Sequence, residues 1–354
     1  VTGPAAVSLA PPVTDFRLPP QREAHEPPER RGLTRDGVRL LVARPTGIRH
    51  DRFTGLPHHL SPGDVVVVNT SATLPAALDA ERDAGGAAVV HVGTGLDDGA
   101  WVVEVRRGDA RGPRRDVTPG EVLRVAGDLA LTITGSYPVP GVTGARMWRA
   151  VPHPAADPVA HLSRHGRPVA YGHAETGLPL ADHQTLFARE PGSAEMPSAA
   201  RPFTPRILVD LLALGVVVAP VVLHAGLSSA EAGEPPVPER FAVPATTAEL
   251  VDRARDAGRR VVAVGTTVAR ALESAADPDG RVRGAAGWTD LVVDRRTPVR
   301  VVTGLVTGWH SPRASHLALL EAVAGPGLVR AAYDAALAGD YLWHEFGDSC
   351  LLLP

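Results

Sequence analysis

The chain contains no lysine, so every one of its 36 basic side chains is arginine. That absence excludes Schiff-base chemistry and a phosphate-loop lysine. A single cysteine, Cys350, excludes an internal disulfide framework and a cysteine-rich zinc site. Aromatic residues make up only 4%, so Leu, Val and Ala must build most of the core. No apolar run approaches the ~18 residues of a membrane span. Val1 to Pro12 is apolar but lacks the basic start of a signal peptide. A soluble, cytoplasmic protein without membrane contact is expected. The net charge of −3 argues against a broadly basic surface, although it permits a local arginine patch.

What is present in the 354 residues is enough for two domains. Val1 to Arg31 is proline-rich and reads as an extended arm. Leu40 to Ala43 and Val65 to Val68 are short buried strands. Ala87 to Val92, Trp101 to Arg106, Glu121 to Val125, Leu129 to Thr134 and Ala145 to Val151 read as five strands with turns between them. That pattern predicts a small β-barrel or sandwich. Beyond His153 helices and strands alternate. Helices are expected at Pro205–Leu214, Thr246–Ala257, from Thr266 to about Ser274, and after Ser311-Pro312. Strands are expected at Gly215–Leu223, Arg260–Val264, Asp290–Asp294 and Arg300–Thr303. The fold class is therefore α/β with a mainly parallel sheet and an inserted barrel.

Four segments carry candidate chemistry. Strand Arg260–Val264 ends in Gly265-Thr266-Thr267 and opens a helix, which places free N–H groups at a sheet edge suited to a carboxylate or phosphate. The plainer reading is that Thr266 or Thr267 caps the helix, with Arg270 and Glu273 as a surface pair. In Thr307–Arg313, Ser311 reads as the cap and Pro312 as the first helical residue. There Trp309 either stacks on a base or packs as a staple, and His310 is placed to move a proton. His224 ends a strand and is either a base or a satisfied structural histidine. Glu195, in the loop Gly192–Ser198, is a general base, a ribose partner or merely a solvated carboxylate. His58-His59, and His161 with His165, have no acid or cysteine beside them, so no metal is expected.

Together these segments resemble the S-adenosylmethionine:tRNA ribosyltransferase-isomerase family, the epoxyqueuosine synthases, over nearly the whole chain. Asp15-Phe16-Arg17-Leu18-Pro19 is similar to D-[YF]-x-L-P, and Arg35-Asp36 with Arg39-Leu40-Leu41 to R-D-x-x-R-L-L. Pro62 to Asn69 is similar to P-G-D-x-L-V-x-N. Gln184 to Ala188 resembles Y-Q-T-V-[YF]-A, with His183 in place of the tyrosine. Gly265-Thr266-Thr267, Arg270 and Leu272-Glu273 fit G-T-T-x-x-R-x-L-E. Thr307 to Arg313 resembles T-N-F-H-L-P-K, and Phe346-Gly347-Asp348 the closing Y-G-D.

The resemblance implies an α/β domain from residues 1–73 and 153–354, with a barrel domain at 74–152. It implies transfer and isomerisation of the ribosyl group of S-adenosylmethionine, as co-substrate, onto 7-aminomethyl-7-deazaguanine in tRNA. Epoxyqueuosine forms, adenine and methionine leave, and no metal takes part. The expected catalytic residues are His224, His310 and Glu195. Gly265, Thr266, Thr267, Arg270 and Trp309 would bind S-adenosylmethionine, and Gln184, Arg201, Arg313 and Asp348 the acceptor. A monomer is expected.

Several motif residues differ. Pro202 replaces a family histidine, and Glu195 and Arg201 are new. Two histidines have no counterpart around Pro238 to Val243. Asn69 to Leu78 lacks an aspartate and two arginines of the family pattern, and Gly308 replaces an asparagine. Two other readings therefore stay open: a paralogue using S-adenosylmethionine on a small nucleoside or metabolite, and a non-catalytic nucleotide- or RNA-binding descendant.

Overall fold

A computed structural model describes residues 9–109, 112–171, 177–228 and 234–354. The first eight residues of the expected arm lie outside them. Strands β1 (Arg39–Arg44), β2 (Gly47–Arg52), β3 (Val65–Asn69) and β4 (Ser71–Thr73) come first. Then follow β5 (Ala77–Arg82), β6 (Ala87–Gly95), β7 (Trp101–Arg107), β8 (Val122–Val125), β9 (Leu129–Tyr137) and β10 (Met147–His153). The remaining strands are β11 (Glu190–Ser193), β12 (Val217–Leu223), β13 (Glu239–Val243), β14 (Val261–Val264), β15 (Ala285–Thr289), β16 (Gly304–Thr307) and β17 (Ser349–Leu352). The helices are α1 (Pro158–His165), α2 (Pro205–Ala213), α3 (Ala245–Asp256), α4 (Thr266–Ser274), α5 (Ser315–Ala324) and α6 (Pro326–Ala338).

Strands β5 to β10 close an antiparallel barrel in the order β10-β7-β6-β5-β8-β9. Its interior is a cluster that includes Val90, Val103, Leu131, Ile133 and Met147. The sixth strand, β5, escaped the sequence reading. Its Ala-Leu-Asp-Ala-Glu-Arg has little strand propensity, and pairing with β6 and β8 decides it.

The other strands, apart from β4 and β11, form a nine-stranded sheet in the order β15-β13-β12-β3-β14-β16-β17-β1-β2. Pairing is parallel through β12-β3-β14-β16 and between β17 and β1. It is antiparallel elsewhere, so the sheet is mixed and the parallel part is its centre. One reversal has a plain cause: two helices, α5 and α6, separate β16 from β17, so the chain returns in the opposite sense. The run Val65–Val68 serves both faces of the sheet. Val65 and Val67 pack into the layer containing Val251, Val268 and Leu272. Val66 and Val68 pack into the layer containing Phe53, Phe203 and Ile207.

Three local expectations are corrected. Residues 290–294 and 300–303 are not strands; β15 ends just before the first run and β16 begins just after the second. The N–H groups of Arg300, Val301 and Val302 donate to the Glu273 carboxylate, which takes the place of a ladder. Helix α5 begins at Ser315, not after Ser311, because Arg313 adopts φ +64 and Ala314 closes a turn back to Ser311 O. The N-terminal arm is held from Ala10 onward. Ala10 N donates to Asp294, Thr14 N to Glu321, and Phe16 packs on Tyr333 and Trp343.

Candidate active site

The carboxyl end of β14 turns through Gly265 into α4. Gly265 has φ +94, a conformation that glycine adopts without a Cβ penalty, and its N–H donates to Val306 O at 2.8 Å. Thr266 and Thr267 are the first two helical residues and neither is the cap; the cap position is Gly265, which has no side chain to cap α4. The first-turn N–H groups therefore belong to residues that line a cavity of about 830 Å³. Glu195, Ser228, Gly265, Thr267, His310 and His316 lie on its wall, together with Arg106 of β7 and Arg146 just before β10.

Glu195 follows β11, which pairs with β4. Its Oε1 accepts from the Tyr171 hydroxyl and from Ser228 N at 2.8 Å, and its Oε2 accepts from Ser228 Oγ at 2.6 Å. Burial raises its proton affinity above the usual carboxylate range, against the pull of these donors. Glu195 is thus an ordered, desolvated carboxyl group and not a solvated loop acid.

His310 is fixed through its backbone and its ring. Its N–H donates to Tyr333 OH at 3.2 Å, and its carbonyl accepts from Trp343 Nε1 at 3.1 Å. Its Nε2 lies 3.0 Å from Thr307 Oγ1. The ring stacks on His316, with centroids 4.6 Å apart and planes 3° from parallel. Burial lowers the proton affinity of both rings, that of His316 to about 4. Both imidazoles are therefore neutral at pH 7.

Arg270 lines the cavity, but its guanidinium is already committed. It donates to Glu239, to Leu291 O, Val237 O and Thr289 O. The expected surface pair with Glu273 does not form, since each residue pins a different segment. Trp309 lines the cavity but is only 2% exposed, wedged among Tyr333, Tyr341 and Trp343. Its ring contacts are with Tyr333 of α6 and with Tyr341 and Trp343 beyond it, within an apolar cluster that also holds Leu317 and Leu320 of α5.

His224 is not among the residues that line the cavity. Its Nδ1 lies 2.7 Å from Ser71 Oγ, which lies 2.6 Å from Ser193 Oγ. This small polar network lies two residues before Glu195. The four expected acceptor residues also lie outside the cavity wall. Gln184 forms a reciprocal pair of hydrogen bonds with the backbone of Thr73. Arg201 is 2% exposed, donates to Asp182 O and Glu29, and lies over Phe346. Asp348 accepts from Arg39 N and Leu342 N. In these three the protein itself supplies hydrogen-bond partners to the side chain. Arg313 is exposed beside the wall residues Ser311 and Ala314.

The sequence reading missed Tyr171, His316 and the barrel-side network. In that network Glu104 bridges Arg106 and Arg146, and Arg146 also pairs with Glu234 at 3.1 Å. Nothing local marks these residues. Ser228 did have a signal, since it lies in the segment that follows His224.

The chain's likenesses agree with one another. The pattern described as queuosine biosynthesis protein matches residues 13–352. An S-adenosylmethionine:tRNA ribosyltransferase-isomerase of Moorella thermoacetica is 35% identical, over 96% of this chain and 98% of that protein. A protein of the same name from Thermus thermophilus is also 35% identical, with the same coverage. The crystal structure of an S-adenosylmethionine tRNA ribosyltransferase from Thermotoga maritima aligns with a TM-score of 0.52 and 30% identity. That alignment covers 96% of this chain and 99% of that one.

Proposed function

From the premise that this chain belongs to the queuosine biosynthesis protein family, we propose that it is an S-adenosylmethionine:tRNA ribosyltransferase-isomerase. Its substrates are S-adenosylmethionine and a tRNA carrying 7-aminomethyl-7-deazaguanine. The observation that carries this reading is that Glu195 and His310, far apart in sequence, line one cavity with the uncapped N-terminus of α4.

The wall suits each part of S-adenosylmethionine. First-turn N–H groups of α4 match the methionine carboxylate. A buried carboxyl group, Glu195, matches the sulfonium when ionised. The sulfonium acidifies the adjacent C5′ protons, and the neutral His310 is placed to take one. Arg313, exposed at the rim, is the residue for a tRNA phosphate. His224, behind the wall, positions the Glu195 segment through Ser71 and Ser193. Residues 74–152 are proposed as a barrel domain inserted between 1–73 and 153–354.

The test is release of adenine from S-adenosylmethionine in the presence of tRNA bearing the deazaguanine. Release that needs both substrates, and falls in E195Q and H310A, is expected. Binding of S-adenosylmethionine without adenine release would overturn the proposal. Turnover on a small nucleoside in the absence of tRNA would transfer the site to the paralogue reading.

A further inference from the structure

His316 belongs to none of the sequence motifs, yet it forms the closest ring contact in the cavity wall. Its imidazole lies face to face on His310 at 4.6 Å and 3°. Thr307 Oγ1 lies 3.1 Å from Gly308 O and 3.0 Å from His310 Nε2, and its single proton can serve only one of them. The arrangement that satisfies both contacts puts the His310 proton on Nε2 and leaves Nδ1 with a lone pair. The backbone of His310 is pinned on both sides, by Tyr333 of α6 and by Trp343. Its ring orientation is then set by Thr307 at one edge and His316 over one face.

We propose that His316 is a positioning residue for His310: by stacking on that ring it fixes the imidazole plane, and it limits the pair to a single proton. The inference rests on the reading of this cavity as the active site with His310 as its base. Two parallel imidazoles at this distance, away from bulk water, repel strongly when both are charged. The charged or titratable groups acting on them add to that effect: His344 acts on His310, and Arg270 of α4 acts on His316. Tyr333 of α6 meets only the His310 backbone N–H. A charge on either ring therefore disfavours protonation of the other, and burial keeps His310 in its basic form at neutral pH.

The experiment follows the histidine ring nitrogens of the full chain by NMR against pH, together with the pH profile of adenine release, for the unmutated protein, H316F and H316Q. In the unmutated protein the two rings are expected to titrate together, below the ordinary histidine range. Both variants remove the second proton site, and H316F keeps an aromatic face. With the competing site gone His310 alone takes the pair's proton, so its titration in the acid range moves up and the acid limb of kcat/KM moves with it; above about pH 5 His316 carries no charge and no shift is expected there. The expected result is at least a threefold greater loss of activity at about pH 4.5 than at about pH 8. If the two rings of the unmutated protein titrate independently near ordinary values, or if the His310 titration does not move in either variant, the proposal is overturned. If the titration moves while the limb of adenine release stays put, the positioning effect on catalysis is overturned and His310 is not the base. A failure of the active-site reading itself is separate: H310A would then release adenine as fast as the unmutated protein.

Discussion

The Arg270 guanidinium donates to Glu239 Oε2 at 2.5 Å, tying α4 to β13 in the cavity wall. The same side chain also takes the carbonyls of Val237, Thr289 and Leu291, so one arginine holds two backbone segments at the wall. R270A leaves Glu239 and three carbonyls without their cation. The expected loss is on the order of 3–5 kcal/mol, read from the denaturant midpoint. R270K keeps the charge but cannot reach several acceptors at once, and should recover only part of it. A loss below about 1 kcal/mol for R270A would contradict the structural role.

Glu195 combines a cost in stability with a catalytic role. Its raised proton affinity means that the folded chain holds this proton to higher pH than the unfolded chain does. Folding stability is therefore lost as pH rises through and beyond the ordinary carboxylate range. E195Q removes that charge. At pH 7.5 its melting temperature should rise by roughly 1–4 °C, while adenine release falls by about 10²-fold or more. A drop in both would show that Glu195 is mainly a structural acceptor.

Buried histidines act on stability in the opposite direction. His316 is held to about 4 and His91 to about 3, and His310 is also lowered. Below the unfolded-state histidine range the unfolded chain binds protons that the folded one refuses, so stability falls from near pH 6.5 down towards pH 4. His91 is fully buried, and neither ring nitrogen has a hydrogen-bond partner among the described residues. H91F should flatten this acid loss and add about 1–3 kcal/mol at pH 5. Urea titrations at pH 5 and 7.5 test it, and an unchanged difference between the two pH values would refute it.

His224 lies behind the cavity wall in contact with Ser71, and Ser193 links it to the Glu195 segment. H224N is expected to lower kcat/KM by about tenfold or less, well short of the ~10²–10⁴ attributed to proton-transfer groups. The measurement is kcat/KM for adenine release. A fall of about 10³-fold would restore His224 as the base.

Gly192 faces the His224 ring closely enough that an added Cβ would lie 2.3 Å from its Nδ1. G192A must move that ring or its own strand, so it should reproduce the activity loss of H224N with an additional stability cost. That cost is of the size seen for overpacking, about 1–3 kcal/mol. Differential melting with the activity assay separates the two effects.

Much of the frame was legible because it depends on local pattern. The run Val65–Val68 implied burial on both faces, and the structure divides its side chains between two apolar layers. Gly265-Thr266-Thr267 implied a strand-to-helix turn, and the turn is there with a left-handed glycine. The errors came where a distant side chain takes over backbone donors. Glu273 satisfies Arg300 to Val302, and no local pattern near residue 300 announces it. Strand β5 was missed for a related reason, since its small and charged residues are strands only because two neighbours pair with them.

The lysine-free composition, the family motifs and their order determined by themselves which chemistry the chain excludes, which family it belongs to and where the α4 turn lies. These are properties of residue type and spacing. Which polar side chains meet the cavity was decided only in three dimensions. Arg201, Gln184 and Asp348 were candidates by type, but partners within the protein take up their hydrogen bonds. Tyr171 and His316 had no motif and reach the wall through packing. A side chain's availability depends on what surrounds it after the backbone has closed, and that is set by contacts between segments far apart in the chain.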